Sequence, residues 1–314
     1  MKAVVCTKYG PPEVLQLKDI VKPSPKRNEV CIKIHASAVT ASDLYIRGSR
    51  IPLRFMVPMR LALGITKPRK SVIGLVLAGE VESVGRDIQR FKAGDQVYGI
   101  TGFGLGAYAQ YKCMKETDSL HGCLSLMPTT ISYEEATAAA YGGLLALQRI
   151  EEGQLQRGQH VVVYGASGTS GTMAVQIAKH YGAEVTGVCS TRNLEFVQSL
   201  GADKVIDYTI DDAAVQSIDR YDLMLDTAGQ TKNSKVKERC RQSLSPTGKY
   251  VSIDDGKLLL QSRRLDTLRE LIDAGHIKPV VDRTYPLDRI VEAHEFVEKG
   301  RKRGGVAISI EHSD

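Results

Sequence analysis

The chain has 314 residues, of which 42% are apolar and 25% charged, a composition that supplies cores for two domains and excludes disordered, collagen-like and miniprotein classes. Forty-two lysines and arginines against 36 aspartates and glutamates leave a net charge of +6, spread along the whole chain. That balance suits anionic small molecules and, with no tryptophan and 6% aromatics, offers nucleic acid neither a basic patch nor a stacking platform.

The first third reads as short strands between turns: Ala3 to Cys6, Val30 to Ala38, Gly74 to Val84, Gln96 to Ile100 and Ala107 to Tyr111. Such spacing predicts a compact β-rich domain. From Ser132 the period changes to helix over Glu134 to Gln148, strand at His160 to Tyr164, helix at Thr172 to Tyr181 and strand at Glu184 to Val188. The alternation continues with helix Asn193 to Leu200, strands Lys204 to Ile206 and Leu223 to Asp226, helix Lys235 to Ser243 and strand Lys249 to Ile253. Strand and helix in turn predict a parallel, doubly wound sheet. Helix Arg264 to Ala274, strand Val280 to Asp282, helix Leu287 to Lys299 and strand Val306 to Ile310 form a mixed tail that returns to the first domain.

The six cysteines, Cys6, Cys31, Cys113, Cys123, Cys189 and Cys240, form no CxxC pair and read as reduced thiols. The apolar run Ala136 to Leu147 is 12 residues long, short of the roughly 18 to 20 that span a bilayer. Pro11 and Pro12 interrupt the start before a secretory h-region forms, so a cytoplasmic protein is expected. Between Arg50 and Lys70, Phe55, Met56, Met59 and Leu61 interleave with Arg54, Arg60, Lys67 and Arg69. A segment this long either walls an apolar substrate channel or packs as a short helix.

Within the alternating region, VVVYGASGTSGTMAVQIAKHYGAEVTGVCS supplies strand, glycine-rich turn, helix and second strand, a complete βαβ unit for a dinucleotide. In the turn Gly165-Ala166-Ser167-Gly168-Thr169-Ser170-Gly171, Gly168 lets the backbone approach a pyrophosphate and Gly171 lets the helix pack on the strand. The helix N-terminus presents N–H groups to the anion, and Ser167, Thr169 and Ser170 add hydroxyls. An NAD-selective site carries Asp or Glu at the end of the second strand. Here Val188-Cys189-Ser190-Thr191-Arg192 has no acid, while Ser190 and Arg192 suit a 2′-phosphate. NADPH is the expected cofactor.

These segments, with LGADKVIDY, ASAVTASDLYIRG, AGEVESVGRDIQRFKAGDQVYG and the closing IKPVVDRTYPLDRIVEAHEFVEKGRKRGGVAISI, resemble the medium-chain dehydrogenase/reductase superfamily along nearly the whole chain. The similarity is greatest to its zinc-independent quinone oxidoreductase branch. The resemblance implies an α/β protein with a GroES-like β-rich catalytic domain over residues 1–128, completed by 277–314. A Rossmann NADPH-binding domain would then occupy residues 129–276. It also implies that Tyr208 closes over the adenosine 2′-phosphate, and that Ser252 and Arg303-Gly304 approach the nicotinamide half.

Zinc members of the superfamily take ligands from stretches that here read Thr40-Ala41-Ser42-Asp43, Gly74-Leu75-Val76 and Tyr141-Gly142. Aliphatic side chains cannot coordinate zinc, and Cys113, His121 and Cys123 match no common zinc spacing. No metal is expected. Without a Lewis acid the acceptor must already be electrophilic, a quinone or an α,β-unsaturated carbonyl. The resemblance of TASDLYIRG to the quinone-reductase motif nominates Tyr45 as hydrogen-bond donor or ring platform, with Thr40 in place of the usual Asn. Leu145 stands where relatives carry a threonine that bonds the nicotinamide amide. The segment Ser252 to Leu271, which in relatives helps form a homodimer, is short. The expected function is reduction of small lipophilic quinones or enones with NADPH; the alternative is an NADPH-binding sensor with little turnover.

Overall fold

A computed structural model of the protein describes residues 1–48, 61, 63–210, 220–229 and 234–312. Most of the candidate channel wall, including Arg54, Phe55, Met56, Met59 and Arg60, lies outside them. The chain divides into two compact units, one of residues 1–141, 260–269 and 281–314, the other of residues 142–259 and 270–280.

In chain order the first unit carries β1 (Lys2–Cys6), β2 (Leu15–Asp19), β3 (Glu29–Ala38), α1 (Ala41–Arg47), β4 (Val76–Val84), β5 (Gln96–Ile100), β6 (Tyr111–Lys115), β7 (Cys123–Leu126) and α2 (Tyr133–Ala138). The second carries α3 (Leu144–Gly153), β8 (His160–Tyr164), α4 (Thr169–His180), β9 (Glu184–Cys189), α5 (Leu194–Ser199), β10 (Lys204–Asp207), β11 (Tyr221–Asp226), α6 (Lys235–Gln242) and β12 (Leu244–Ser252). Helix α7 (Ser262–Asp273) contributes to both, and β13 (Val281–Pro286), α8 (Ile290–Glu298) and β14 (Gly305–Ser309) return to the first.

The main sheet of the first unit runs β13-β14-β3-β4-β5-β7, with β6 also on β3, and β1 pairs with β2; this is the β-rich GroES-like domain. Strand β2 escapes sequence reading because only Leu15 of its five residues is buried, so no alternation marks it. The strand expected at Ala107 to Tyr111 begins only at Tyr111. Ala107 and Tyr108 are fully buried, but they follow left-handed Leu105 and Gly106 and bond irregularly to Gly74 and Ile73. Burial made the run apolar without making it a strand.

Strand register places Cys31 opposite Cys113 on β3 and β6. The Ile34 N–H bonds the Gln110 carbonyl at 2.9 Å, so by antiparallel alternation position 34 is a hydrogen-bonded pair and position 31 a non-bonded one, with Cα atoms about 4.5 Å apart. That spacing lies within the range a disulfide bridges. Both thiols are free. Treatment with a mild two-electron thiol oxidant such as diamide should link Cys31 to Cys113, read by peptide mass mapping; a different pair would mean a shifted register.

The second unit is a five-stranded parallel sheet in the order β10-β9-β8-β11-β12. The strand order reverses between β8 and β11, which lie side by side and parallel, the switch point at which doubly wound sheets open a crevice beyond the carboxyl ends of their strands. This is the Rossmann domain. The helix expected as one piece over Glu134 to Gln148 is interrupted. Ser132 and Glu135 form a capping box at the start of α2, and a π-helical turn, Ala139–Gly143, separates α2 from α3. Among the described residues no helix is long and apolar enough to cross a membrane.

Candidate functional site

The glycine-rich turn follows β8 at the switch point. Gly165 is left-handed at φ 85°, a conformation that costs glycine little. Its N–H and that of Ala166 bond the Val188 carbonyl at 3.0 and 3.1 Å, which ties the turn to the end of β9. From β11, the Thr227 hydroxyl donates to the carbonyls of Tyr164 and Gly165 at 2.8 and 3.1 Å. A Cβ on Gly171 would lie 2.2 Å from the Gly165 carbonyl oxygen, whereas one on Gly168 would meet nothing closer than 3.4 Å. Packing therefore demands glycine at 171 but not at 168, where a side chain would obstruct only something from outside.

Gly168 is the N-cap of α4 and brings no side-chain cap, so the first-turn N–H groups, with the helix dipole behind them, are presented to an anion. Ser167 and Ser190 are joined by Asn193, whose Nδ2 donates to their hydroxyls at 3.0 and 3.2 Å. Arg192 is exposed on the single turn Thr191–Asn193 that follows β9. Tyr208 follows β10, bonded through its N–H to the Cys189 carbonyl at 3.1 Å, with its ring centroid 6.3 Å from that of Tyr164. The loop, Ser190, Arg192 and Tyr208 are thus gathered around the ends of β8, β9 and β10. These residues fit a dinucleotide phosphate.

Asp207 ends β10 beside this group. Its Oδ1 accepts from the Thr209 N–H and hydroxyl at 2.8 and 2.6 Å. Burial would raise its pKa, but hydrogen bonds from Thr191 and Thr209 outweigh this and lower it. Its Oδ1 is thereby held by the turn, while its Oδ2 is buried without a hydrogen-bond partner. Ser252 is fully buried at the end of β12, where its N–H bonds Asp255 at 2.7 Å and its hydroxyl lies 3.4 Å from Asp226.

Sequence reading missed Asp226. It ends β11, is 1% exposed, and binds Lys237 Nζ at 2.7 Å and the Tyr250 hydroxyl at 2.7 Å. Its other oxygen accepts from the N–H groups of Ala228 and Gly229, each at 3.2 Å. Burial and then the Asp226 carboxylate push the Tyr250 phenol up. An acid closing a buried apolar strand, LMLDTAG, was the available signal. Asn193 carried none, because its role depends on β8 and β9 being neighbours.

The other candidates belong to the first unit. Thr40 caps α1 in a capping box with Asp43; its hydroxyl donates to Asp43 Oδ2 at 2.6 Å and accepts from the Asp43 N–H at 3.2 Å. Tyr45 is partly exposed on the same helix. The Tyr141 hydroxyl lies 2.7 Å from that of Ser42. Arg303 and Gly304 precede β14, which pairs with β3. The Val39 N–H bonds the Val306 carbonyl at 2.9 Å, so Thr40 and Gly304 stand at the same end of adjacent strands. Leu145 is buried in α3 and offers no hydrogen bond.

Family models match along the chain: an alcohol dehydrogenase GroES-like domain over residues 26–125 and zinc-binding dehydrogenase over 171–257 and 256–308. The chain is 31% identical over 323 residues to a 2-methylene-furan-3-one reductase of Solanum lycopersicum, covering 98% of this chain and 79% of the relative. It is 30% identical to a chloroplastic quinone-oxidoreductase of Triphysaria versicolor, with 98% of each covered. Another relative, the chloroplastic NADPH-dependent alkenal/one oxidoreductase of Arabidopsis thaliana, is 30% identical over 98% of this chain and 79% of its own length. The solved quinone oxidoreductase of Coxiella burnetii superimposes with a TM-score of 0.82 at 25% identity, covering 99% of each chain.

The chain belongs to the medium-chain dehydrogenase/reductase family. Within it, the chain falls in the quinone-oxidoreductase-like branch, and the family cofactor is a nicotinamide dinucleotide. The zinc in the name of two matching models does not fit these residues. The Thr40 hydroxyl is committed to Asp43, Leu75 and Val76 are aliphatic and buried, and Tyr141 is paired with Ser42. Among the described residues no three His, Cys, Asp or Glu side chains gather to hold a metal.

Proposed function

We propose that this chain is a zinc-independent oxidoreductase that uses NADPH to reduce small lipophilic quinones or α,β-unsaturated carbonyl compounds. The observation that carries the reading is the uncapped start of α4 at the sheet's switch point, with Ser190 and Arg192 and no acid at the end of β9. The names of the relatives, alkenal/one oxidoreductase and quinone oxidoreductase, support the acceptor class.

Bound NADPH supplies hydride. Residues Gly165 to Gly171 cradle its pyrophosphate, Ser190, Arg192 and Tyr208 hold the 2′-phosphate, and Ser252, Arg303 and Gly304 flank the nicotinamide side. Tyr45 orients the acceptor by hydrogen bond or ring contact, and Thr40 fixes Asp43 at the start of α1. An electron-poor acceptor needs no Lewis acid, only hydrogen-bond donors for the oxyanion that develops as hydride arrives.

The test is NADPH oxidation by chelator-treated protein with quinones, alkenals and enones, and with simple aldehydes as controls. Turnover with the first three and not with aldehydes supports the reading; tight NADPH binding with no turnover on any acceptor would favour a sensor instead. Replacing Arg192 with Ala should weaken NADPH roughly tenfold, the value of one charge-assisted bond, and leave NADH unchanged. Equal losses for both cofactors, measured by fluorescence titration, would remove the 2′-phosphate role.

A further inference from the structure

Of the six cysteines, five are buried and only Cys113 is partly exposed. It lies on β6 directly opposite Cys31 on β3, and their non-bonded pairing sets both side chains on one face of the sheet, as close as cross-strand neighbours come. Lys33 and Tyr111 form the next pair on that face, two residues along each strand. The segment between β2 and β3 lies across it, with Lys22 Nζ 4.0 Å from the centroid of the Tyr111 ring and 2.5 Å from Glu82 Oε1 on β4. Beneath this segment, Cys31 Sγ is 3.8 Å from the Pro23 carbonyl oxygen and 3.7 Å from Glu82 Oε2, and Cys31 is 1% exposed. The pair thus joins one thiol that solvent reaches to one that is shielded and stands beside a carboxylate.

We propose that Cys31 and Cys113 form a redox modification site for small neutral hydroperoxides, at which Cys113 is the attacking thiol and Cys31 the resolving one. In the first step Cys113 Sγ attacks one oxygen of the hydroperoxide. An S–O bond forms, the O–O bond breaks, and the departing oxygen takes up the thiol proton and leaves as an alcohol or water. Cys113 is oxidised by two electrons to a sulfenic acid, and the peroxide is reduced. In the second step Cys31 Sγ attacks Cys113 Sγ, and the S–S bond forms as the S–O bond breaks. The Cys31 proton passes to Glu82, the departing hydroxide takes a proton from solvent and leaves as water, and Glu82 returns its proton to solvent. Two thiols and one hydroperoxide therefore give a disulfide, an alcohol or water, and a further water. Exchange with an external dithiol restores both thiols.

Exposure sets the order of attack, because an oxidant from solvent meets Cys113 first. Protonation agrees with it. The Cys113 thiol is lowered, above all by the hydrogen bond from Cys31 and also by Lys112, against burial and the charges of Glu29 and Glu82. The Cys31 thiol is raised by the same contact, by burial and by the charges of Cys113 and Glu82. Since the thiolate is the nucleophile, Cys31 attacks only after Glu82 has accepted its proton. Burial pushes Cys6 up to about 11 and Cys123, Cys189 and Cys240 up to about 12, which leaves those four inert. Around the pair, Lys22 and Lys112 balance Glu29 and Glu82. No net field draws a charged oxidant, and the half-shielded face admits a small neutral one.

The experiment exposes the reduced full chain to a slight excess of hydrogen peroxide or tert-butyl hydroperoxide, traps sulfenic acid with dimedone and maps the modified peptides by mass. The unsubstituted protein should form the Cys31–Cys113 disulfide. Its Cys113 thiol should be lost at least about tenfold faster at pH 7 than that of N-acetylcysteine, of which only a few per cent is thiolate. Cys31→Ser should instead accumulate the dimedone adduct on Cys113, and Cys113→Ser should leave Cys31 unmodified. Glu82→Gln should also accumulate the adduct, a kinetic signature that a merely structural carboxylate would not give. Loss of Cys113 no faster than N-acetylcysteine, a dimedone adduct on Cys31 in Cys113→Ser, or modification by glutathione disulfide but by neither hydroperoxide would overturn the proposal. None of these residues belongs to the cofactor or acceptor site, so NADPH binding and turnover in the same variants test the functional reading separately.

Discussion

Replacing Gly171 with alanine is expected to cost about 1–3 kcal/mol of stability and to abolish NADPH binding, because the new methyl group has nowhere to go. Its Cβ would sit 2.2 Å from the Gly165 carbonyl oxygen and 2.8 Å from the backbone of Ala166. Neither is the end of a flexible side chain, so relief requires α4 to lift from β8 and take the phosphate-facing N–H groups with it. Gly168→Ala is the control. Its Cβ would be 3.4 Å from the same carbonyl, ordinary contact, so the fold should keep its melting temperature while NADPH affinity falls at least tenfold, about 1.4 kcal/mol. Thermal unfolding and cofactor titration on the two variants separate packing from ligand approach. Equal melting temperatures would refute the packing role of Gly171, and undiminished affinity in Gly168→Ala would refute the pyrophosphate contact.

The second large effect concerns Arg47. Its side chain is 2% exposed, and its Nε and Nη1 make no hydrogen bond; Nη2 binds Glu298 on α8. His294 on the same helix, one turn before Glu298, supplies no compensation. Burial and the nearby guanidinium depress its pKa to about 3, so it is neutral. Glu298→Gln should therefore strand a buried charge and destabilise the first unit by roughly 3–5 kcal/mol. The double variant Arg47→Met with Glu298→Gln should regain most of that loss, because the buried charge is gone as well. Chemical denaturation of the two variants decides the matter, and a double variant as unstable as the single one would show that the ion pair is not the source.

Much of the second unit was legible in the sequence because its elements are local. A run such as HVVVY is buried on both faces as a parallel strand and reads as continuous apolar sequence. The glycine spacing that follows it encodes a turn whose demands are set within a few residues. In the first unit the elements are set less by local pattern. Strand β2 shows one buried residue in five, and the buried segment Ala107 to Tyr108 is apolar without being strand. Edge exposure erases alternation, and burial alone does not choose a backbone shape.

The sequence by itself determined the class of fold, the phosphate-binding turn with its two glycines, and the lack of zinc-coordinating side chains at the expected positions, since each is a property of residue type at fixed spacing. Only the tertiary structure decided which side chains meet across elements. It joined Asn193 to Ser167 and Ser190, turned Asp207 toward its own threonines, and made Asp226 a hub for Lys237 and Tyr250. It also brought Tyr141 to Ser42, 99 residues away. The physical reason is range: hydrogen bonds act over about 3 Å, and no spacing along the chain specifies which distant backbone will deliver a partner to within that distance.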